Sequence, residues 1–264
     1  MKYLAMLTDF GTQDHYVAVM KSWFLSHIPG VFFIDISHEV PPQSISSAAY
    51  LLYAAWDYLP ENCLVLALVD PGVGTERRIS VLECSGRVLV CPDNGISGLL
   101  LSRLKQYSLY EPSDALVEKV KIGKSTTFHG RDIFTPLCGW IIEKGIEHPS
   151  FSSLENPVRL AHLEPVDPQG FADQCHVIHI DHFGNIITNV KMDQRKDHSL
   201  EGLILQHRFI QLHDHYSQVS EGDFLSYWGS SGFLEIACRN SNAAKELGIG
   251  LGDILEIKYQ EDET

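Results

Sequence analysis

The first half of the chain alternates short, almost wholly apolar runs with longer segments whose apolar residues recur every three or four positions. The apolar runs predict buried strands, and the longer segments predict helices with one apolar face. The predicted strands are Tyr3–Thr8, 31–36, 63–69 and a hairpin of 79–84 and 87–91, and the predicted helices are 14–28, 44–58 and 131–144. This alternation predicts an α/β fold, with a mostly parallel sheet and helices on both faces.

The pattern changes in the last hundred residues, where short strands are separated by Gly, Asn and Asp. The predicted strands there are 176–180, 186–190, 203–212, 224–227, Phe233–Cys238 and 254–259, with one helix near 242–247. Between the two patterns, residues 146–174 are richer in Pro, Asp and Glu and predict a linker. We therefore predict an N-terminal α/β domain over 1–165 and an all-β, barrel-like domain over 172–264.

Composition fits a globular protein, because hydrophobic residues make up 44% and charged residues 20% of the 264 positions. No apolar run approaches the roughly 20 residues that span a bilayer. The first residues, MKYLAMLTDFG, lack the apolar core and cleavage site of a signal peptide. We therefore expect a cytoplasmic protein that has no membrane partner.

The formal net charge of −14 argues against a nucleic-acid partner, since affinity for nucleic acid comes mainly from Lys and Arg on phosphates. The same charge suits solubility or a small cationic substrate, and does not choose between them. Six cysteines are scattered without a CxxC pair, which favours reduced core thiols over disulfides or a zinc site. They are Cys63, Cys84, Cys91, Cys138, Cys175 and Cys238.

Three polar clusters follow apolar strands: TDFG at 8–11, DPGVGT at 70–75 and PDNG at 92–95. Ligands of open parallel sheets bind at the carboxyl ends of the strands, so Asp9 and Asp70 are expected at one edge. Each Asp could instead cap a helix or shape a turn. The DPGVG segment lacks the GxxxxGK[ST] and GxGxxG patterns, and its leading acid would repel phosphate, so we reject a nucleoside triphosphate site.

Three further segments could carry chemistry. His129 lies at the entry to a predicted helix, in TTFHGRD, although a lone His is more often structural. IDHFGN at 180–185 offers a carboxylate, an aromatic ring and an amide that could bind an ammonium group, stack a base and read its edge. A tight hairpin turn favours the same residue types, and GSSG at 229–232 could also be only a turn.

Seven segments occur in order over about 240 residues: LTDFG, DISHEVPP, VDPGVGTERR, PDNG, FHGRDIF, DHFGN…TN and SGFLEIA…NAA. Together they resemble the S-adenosylmethionine (SAM) hydroxide adenosyltransferase family, which is related to the adenosyl-fluoride and adenosyl-chloride synthases. The resemblance implies an N-terminal α/β domain, a C-terminal β-barrel and a homotrimer with its sites between subunits. It also implies hydrolysis of SAM to adenosine and L-methionine, with no cofactor and no metal.

The resemblance also implies site residues. The catalytic trio would be Asp70, Arg77 and His129, with the register resting on an ungapped match because Arg78 is adjacent. For the ribose and the amino-acid end of the substrate, the resemblance implies contacts of Asp9 with the ribose hydroxyls, Asp181 with the methionine ammonium and Ser230 with the methionine carboxylate. For adenine, it implies that Phe183 contacts the face of the ring and Asn185 its edge. Glu235 and the backbone near Cys238 would line the adenine pocket.

The halogenating relatives differ at informative positions. They carry Tyr where this chain has Asp70, Ser where it has Gly130, and Trp where it has Gln43. A carboxylate repels halide and can accept a proton from water, and Gly cannot donate a hydrogen bond to halide, so these differences favour water. The same relatives have Arg where this chain has Ser231, so backbone N–H groups could take part in holding the methionine carboxylate.

In such a reaction water attacks the ribose C5′ in line, and methionine leaves as a neutral thioether that needs no general acid. Asp70 or His129 could take the proton from water, with Arg77 orienting Asp70 through a bidentate pair. Two alternatives are a halide-using adenosyl transferase and a sensor that binds adenosine or SAM without turnover. A third is a metal-dependent hydrolase, suggested by His38, His129, His182 and the HDH run at 213–215, whose spacings match no ligand motif.

Overall fold

The structure, a computed structural model, describes residues 1–123, 127–167, 174–192 and 202–260. The chain divides into two compact units, Met1–Arg159 and Leu160–Thr264. The boundary between them falls inside the 146–174 segment that we predicted as the linker, a few residues before position 165. Within the described residues, no helix is long and apolar enough to cross a membrane.

The first unit is built on a seven-stranded sheet in the order β2-β1-β3-β5-β4-β6-β7. Its strands are β1 (Tyr3–Thr8), β2 (Phe32–Ser37), β3 (Cys63–Leu68), β4 (Ile79–Cys84), β5 (Arg87–Pro92), β6 (Ser108–Pro112) and β7 (Phe151–Ser153). Strands β2, β1, β3 and β5 are parallel, whereas β4, β6 and β7 extend the sheet with antiparallel pairs. The predicted α/β fold is confirmed, and its sheet is mixed.

Helices cover both faces of this sheet. They are α1 (Tyr16–His27), α2 (Ile45–Ala55), α3 (Gly98–Leu101), α4 (Asp114–Val120) and α5 (Thr135–Lys144), with a π-helical turn at Gly130–Phe134 leading into α5. Alternate residues of β1 enter opposite cores: Met6 packs with α1 and α5, and Leu7 packs with α2 and α3. Burial on both faces explains why β1 and β3 read as continuous apolar runs.

Several short elements of the first unit were not predicted from the sequence. Helices α3 and α4 and strands β6 and β7 span seven residues or fewer, too few for a clear period. The helix that we predicted over 131–144 begins instead with the π-helical turn, and α5 starts at Thr135 with Pro136 in its first turn. Pro136 has no N–H to donate to the preceding turn, where the Asp132 carbonyl accepts the Ile122 N–H instead at 2.9 Å.

The second unit is a seven-stranded antiparallel sheet in the order β11-β10-β14-β8-β9-β13-β12. Its strands are β8 (Gln174–Ile180), β9 (Ile186–Lys191), β10 (Gly202–Leu205), β11 (Arg208–Gln211), β12 (Phe224–Trp228), β13 (Phe233–Cys238) and β14 (Ile254–Gln260). The two outer strands meet where Leu212 bridges Ser226, and the Ser226 carbonyl accepts the His213 N–H at 2.9 Å. The sheet therefore closes on itself, which confirms the barrel-like prediction.

One predicted strand of the second unit was wrong. Residues 203–212 form a hairpin of β10 and β11 that turns at Gln206 and His207, whose φ angles are 49° and 64°. Positive φ at both central residues is typical of a type I′ turn, which Asn and Gly favour. Because Gln and His are unusual there, the pattern gave no turn signal. The predicted helix near 242–247 is α6 (Ala243–Leu247).

Candidate active site

Asp9 and Asp70 lie beyond the carboxyl ends of the adjacent parallel strands β1 and β3, as the sequence predicts. Both residues line a cavity of about 340 Å³ in the first unit. The fold brings His129 to the same cavity through the loop before the π-helical turn, and Gln43 and Gly130 also line it. Four separate stretches of chain thus supply one pocket.

Asp70 is held by a bidentate ion pair with Arg77. The Arg77 Nε donates to Oδ1 and Oδ2 of Asp70, each at 2.7 Å, and the Arg77 Nη2 also contacts Oδ2. Both side chains are 12% exposed, and the guanidinium lies over the ring of Phe134 at 5.3 Å. Backbone bonds from Val73 to Asp70 and from Thr75 to Gly72 curl the intervening loop. The bidentate pair therefore fixes the orientation of the carboxylate.

His129 completes the trio. Its Nδ1 lies 3.4 Å from Nη2 of Arg77. Because a guanidinium can only donate, Nδ1 must accept this hydrogen bond, which puts the ring proton of neutral His129 on Nε2. Burial, and then the charge of Arg77, lower the pKa of His129 below 6.5. The imidazole is thus neutral at pH 7.

The adjacent Arg78 has a different role. Its guanidinium pairs with Asp93 at 2.5 Å and donates to the backbone carbonyls of Glu155 and Asn156 at 3.0 and 2.9 Å. The second carboxylate oxygen of Asp93 accepts the Val158 N–H at 2.8 Å. Arg78 therefore ties residues 155–158 to the PDNG loop, and Arg77 alone of the two arginines faces Asp70.

Asp9 is oriented by the loop after β2. Its Oδ2 accepts the backbone N–H of Gln43 at 2.8 Å, and Gln43 has a positive φ of 65°. Beneath it, the Thr8 hydroxyl contacts Nδ1 of the buried His38 at 2.8 Å, and His38 Nε2 contacts Asp35 at 3.1 Å. The DISH segment therefore braces the strand end that carries Asp9.

Three aromatic residues that the sequence analysis did not select line the same cavity: Phe10, Tyr16 and Phe128. The Phe128 ring contacts Phe10 and Tyr16 edge-on, with centroid separations of 5.7 and 5.1 Å. Phe10 follows Asp9 directly and Phe128 directly precedes His129. Their position next to selected residues is therefore the sequence feature that could have identified these two aromatic residues. Aromatic faces attract cations, so this wall can receive a sulfonium group.

Gly130 leaves little room for a side chain. A Cβ at this position would lie 3.2 Å from Phe128, 3.3 Å from Leu68 and 3.3 Å from Phe10. The π-helical turn that begins here is held by the Thr135 hydroxyl, which donates to the Gly130 carbonyl at 2.8 Å. The packing of the aromatic wall therefore depends on glycine at 130.

The second unit carries another cavity, of about 460 Å³. Its lining includes three residues that the resemblance selects, Phe183, Asn185 and Cys238, together with Tyr216, Asn240 and Ser241, which it does not. Phe183 is 74% exposed, so its ring is available to a flat ligand. An amide beside a free aromatic face can recognise a heterocyclic base.

Asp181 orders the loop between β8 and β9. Its Oδ1 accepts the N–H groups of Phe183 and Asn185 at 2.9 and 2.8 Å, and its Oδ2 accepts Nδ2 of Asn185 at 2.8 Å. Gly184 has a φ of 87°, and a Cβ there would lie 2.1 Å from Asn242. The carboxylate already has three donors within its own loop, and its contact with a methionine ammonium remains a prediction.

Glu235 and Ser230 are placed differently from each other. Glu235 is buried on β13 and accepts the Tyr227 hydroxyl at 2.5 Å. Burial raises the pKa of Glu235, and the Tyr227 hydrogen bond opposes this rise. Ser230 is exposed at the β12–β13 turn, which the Gly232 N–H closes on the Gly229 carbonyl at 2.8 Å. Among the described residues, neither Glu235 nor Ser230 lines the second cavity.

Across the described ranges, no three or more His, Cys, Asp or Glu side chains are grouped as a metal site. All six cysteines are free thiols and buried. Burial raises the pKa of Cys175 to about 12, so this thiol is not a ready nucleophile.

Comparison with known proteins gives matches over nearly the whole chain. Family models described as the SAM hydroxide adenosyltransferase N-terminal and C-terminal domains match residues 4–149 and 175–256. A Thermus thermophilus protein named (R)-S-adenosyl-L-methionine hydrolase is 36% identical, over 96% of this chain and 98% of its own. A Methanocaldococcus jannaschii protein of the same name is 32% identical, over 97% and 95%.

A solved structure agrees with these matches. An uncharacterized conserved protein from Thermotoga maritima superposes with a TM-score of 0.83 at 29% identity, over 97% of this chain and 100% of its own. Fluorinases are more distant, and one from Actinoplanes is 24% identical over 71% of each chain.

Proposed function

The chain belongs to the SAM hydroxide adenosyltransferase family, and from this premise we propose that it hydrolyses S-adenosyl-L-methionine to adenosine and L-methionine. The observation that carries the proposal is the cavity that joins Asp70, paired with Arg77, to His129 and an aromatic wall. Two relatives that match over nearly their full lengths are named as hydrolases of this substrate.

The reaction is a displacement at the ribose C5′. The water oxygen forms a bond to C5′ while the C5′–S bond breaks, and both electrons of that bond go to sulfur. Methionine leaves as a neutral thioether, and the proton of water passes to a base. The sulfonium charge disappears as the reaction proceeds, so the site needs no acid for the leaving group and no cofactor.

We assign the proton to Asp70. The hydrogen bond from Arg77 occupies Nδ1 of His129, so the neutral imidazole offers an Nε2–H donor that can hold the water oxygen. Asp70 is then the acceptor, oriented by Arg77. A base within hydrogen-bond reach contributes about 10²–10⁴-fold to such a step.

Substrate binding divides between the two cavities. In the first, Asp9 would accept the ribose hydroxyls, and Phe10, Tyr16 and Phe128 would face the sulfonium. In the second, Phe183, Asn185 and the backbone at Cys238 would hold adenine. We further propose a homotrimer in which the first cavity of one subunit and the second cavity of its neighbour form one complete site. Asp181 and Ser230 are assigned to the amino-acid end of the substrate.

Water rather than halide is the nucleophile. The charged Asp70 carboxylate would repel an incoming anion, and the tight packing around Gly130 disfavours the serine that the halogenating relatives carry there. The names of the two hydrolases specify SAM with the (R) configuration. We propose that the present chain likewise prefers the substrate whose sulfonium sulfur has the (R) configuration. A cytoplasmic location is proposed because the substrate is an intracellular metabolite and the six thiols are free.

The test is direct. Pure protein is incubated with (R)-SAM and, separately, with (S)-SAM, without added halide, and adenosine and methionine are followed by chromatography. Equimolar products that form faster from the (R) form and disappear in Asp70→Ala support the proposal. Bound but unconverted substrate favours the sensor alternative, and a product that appears only with halide favours the transferase alternative.

A further inference from the structure

A hydrogen-bonded chain in the second unit has no part in the reaction as written above. It runs from Asn185 Nδ2 to the Tyr216 hydroxyl at 3.0 Å, then to the Tyr227 hydroxyl at 2.6 Å, and ends on Glu235 Oε2 at 2.5 Å. Tyr227 and Glu235 are directly opposed residues of the β12–β13 pair. The chain therefore connects the rim of the second cavity with the body of the barrel.

The carboxylate at the end of the chain determines the direction of every bond in it. An ionised Glu235 can only accept, so the Tyr227 O–H points toward it. The Tyr227 oxygen is then the acceptor for the Tyr216 O–H. The Tyr216 oxygen, in turn, accepts from the amide of Asn185.

A second carboxylate fixes the other half of the same amide. Asp181 Oδ2 accepts the remaining Nδ2 hydrogen of Asn185 at 2.8 Å. Both amide hydrogens are thus committed, and rotating the amide by 180° would set its oxygen against the Asp181 carboxylate. The Asn185 Oδ1 accepts no hydrogen bond within the described ranges, and Asn185 lines the cavity.

Glu235 is itself held in one place. Its side chain is buried, and a Cβ at Gly229 would lie 1.8 Å from its Oε1. The carboxylate therefore packs against the glycine backbone on one side and receives the Tyr227 hydroxyl on the other. A side chain at 229 would displace the carboxylate and disconnect the chain.

We propose that Glu235, acting through Tyr227 and Tyr216, holds the Asn185 amide with its oxygen toward the cavity, and so selects a purine with a 6-amino group over one with a 6-oxo group. This inference rests on the proposed function, since it takes the second cavity as the site of the base. The 6-amino N–H of such a purine can donate a hydrogen bond to Asn185 Oδ1. A 6-oxo oxygen is itself an acceptor, so its lone pairs would face those of Asn185 Oδ1 and no hydrogen bond could form. Glu235, Tyr227 and Tyr216 are positioning residues, because they act through Asn185.

The experiment compares the binding of adenosine and inosine, which differ at this position, by titration calorimetry. The wild-type protein is expected to bind adenosine roughly 10–100-fold more tightly. Glu235→Gln lets the amide donate to Tyr227 and reverse the chain, and Tyr227→Phe interrupts it. In both variants the ratio of the two dissociation constants should fall by roughly five- to tenfold.

Glu256→Gln is the matched control, because Glu256 is an exposed carboxylate on β14 that lines neither of the cavities described above. It should leave the ratio unchanged. Wild-type selectivity in both Glu235→Gln and Tyr227→Phe would overturn the inference, as would equal binding of the two nucleosides by the wild type. If Glu235→Gln fails to fold, Tyr227→Phe alone decides. Hydrolysis of SAM in either case would leave the proposed function intact, whereas binding of neither nucleoside would count against both.

Discussion

Arg77 places its Nε 2.7 Å from both carboxylate oxygens of Asp70. The same guanidinium reaches His129 Nδ1, so one residue orients the carboxylate and sets the tautomer of the imidazole. An ammonium group in its place could not form this planar fork or stack on Phe134. The chemistry assigned to Asp70 and His129 therefore depends on arginine at 77.

Replacing each of the two adjacent arginines should separate catalysis from stability. Arg77→Lys is expected to lower kcat by roughly 10²-fold or more, because the bidentate pair with Asp70 and the bond to His129 are both lost. Arg78→Lys should leave kcat near that of the wild type and lower the free energy of unfolding by about 1–3 kcal/mol, since it weakens bonds to Asp93 and to residues 155–158. Steady-state kinetics and denaturant unfolding measure the two effects. Equal kinetic losses in the two variants would contradict the assignment.

Asp9→Asn should act on binding. The lost charge weakens hydrogen bonds from the ribose hydroxyls, so KM for SAM is expected to rise roughly 10–100-fold while kcat changes little. Asp57→Asn, which alters an exposed aspartate of the same unit, serves as the control. An unchanged KM would mean that Asp9 only holds the Gln43 loop.

The pH profile should reveal His129. Its pKa is lowered from 6.5, so the ring is neutral at pH 7 and gains a proton only below pH 6.5. Protonation puts a hydrogen on Nδ1, facing the Arg77 guanidinium. We expect kcat/KM to fall with an apparent pKa below 6.5, and this acidic limb to weaken in His129→Asn. The unfolded state takes up the proton first as the pH falls, so His129 should also lower the stability of the fold below pH 6.5.

An acidic limb that persists unchanged in His129→Asn would assign it to another group. Because an asparagine amide can still donate to water, this variant should retain more activity than Asp70→Asn at pH 8. The reverse order of activities would make His129 the base and Asp70 its support.

Gly130→Ser should disturb the aromatic wall. Its Cβ would lie 3.2–3.3 Å from Phe128, Leu68 and Phe10, so some of these side chains must shift, with a stability loss of about 1–3 kcal/mol. Turnover with water should fall, and chloride should give no halogenated adenosine while Asp70 is present. Gly250→Ala is the control, since a Cβ there meets only ordinary contacts with Asp253. A halogenated product from Gly130→Ser alone would overturn the role given to Asp70.

Mixed oligomers test the arrangement of the subunits. Asp70→Ala disables the first cavity and Asn185→Ala the second, so each homogeneous variant should be inactive. If neighbouring subunits share each site, refolding equal amounts of the two variants together should restore a fraction of wild-type activity. The mass in solution should correspond to a trimer of the 29.6 kDa chain. No recovery from a mixture shown to exchange subunits would indicate that each chain supplies both cavities of a site.

The apolar pattern by itself predicted the central strands and the change from an α/β unit to a barrel. Strands such as β1 and β3 are buried on both faces, so nearly all of their residues are apolar and the strands can be recognised from the local sequence alone. The β10–β11 hairpin was not predictable, because Gln206 and His207 both adopt positive φ angles, which Gln and His side chains do not favour. The π-helical turn at Gly130–Phe134 was missed for a similar reason, since its residues continue the apolar pattern of α5.

The ordered motifs of the sequence identified the candidate residues and the family. Only the tertiary structure decided which of Arg77 and Arg78 faces Asp70, and that Asn185 is linked to Glu235 through two tyrosines. The bond from Arg77 to His129 joins residues 52 positions apart, and the bond from Asn185 to Tyr216 joins residues 31 apart. Periodicity reports which face of an element is buried, but the direction of a hydrogen bond depends on partners that only the folded chain brings within 3 Å or so of each other.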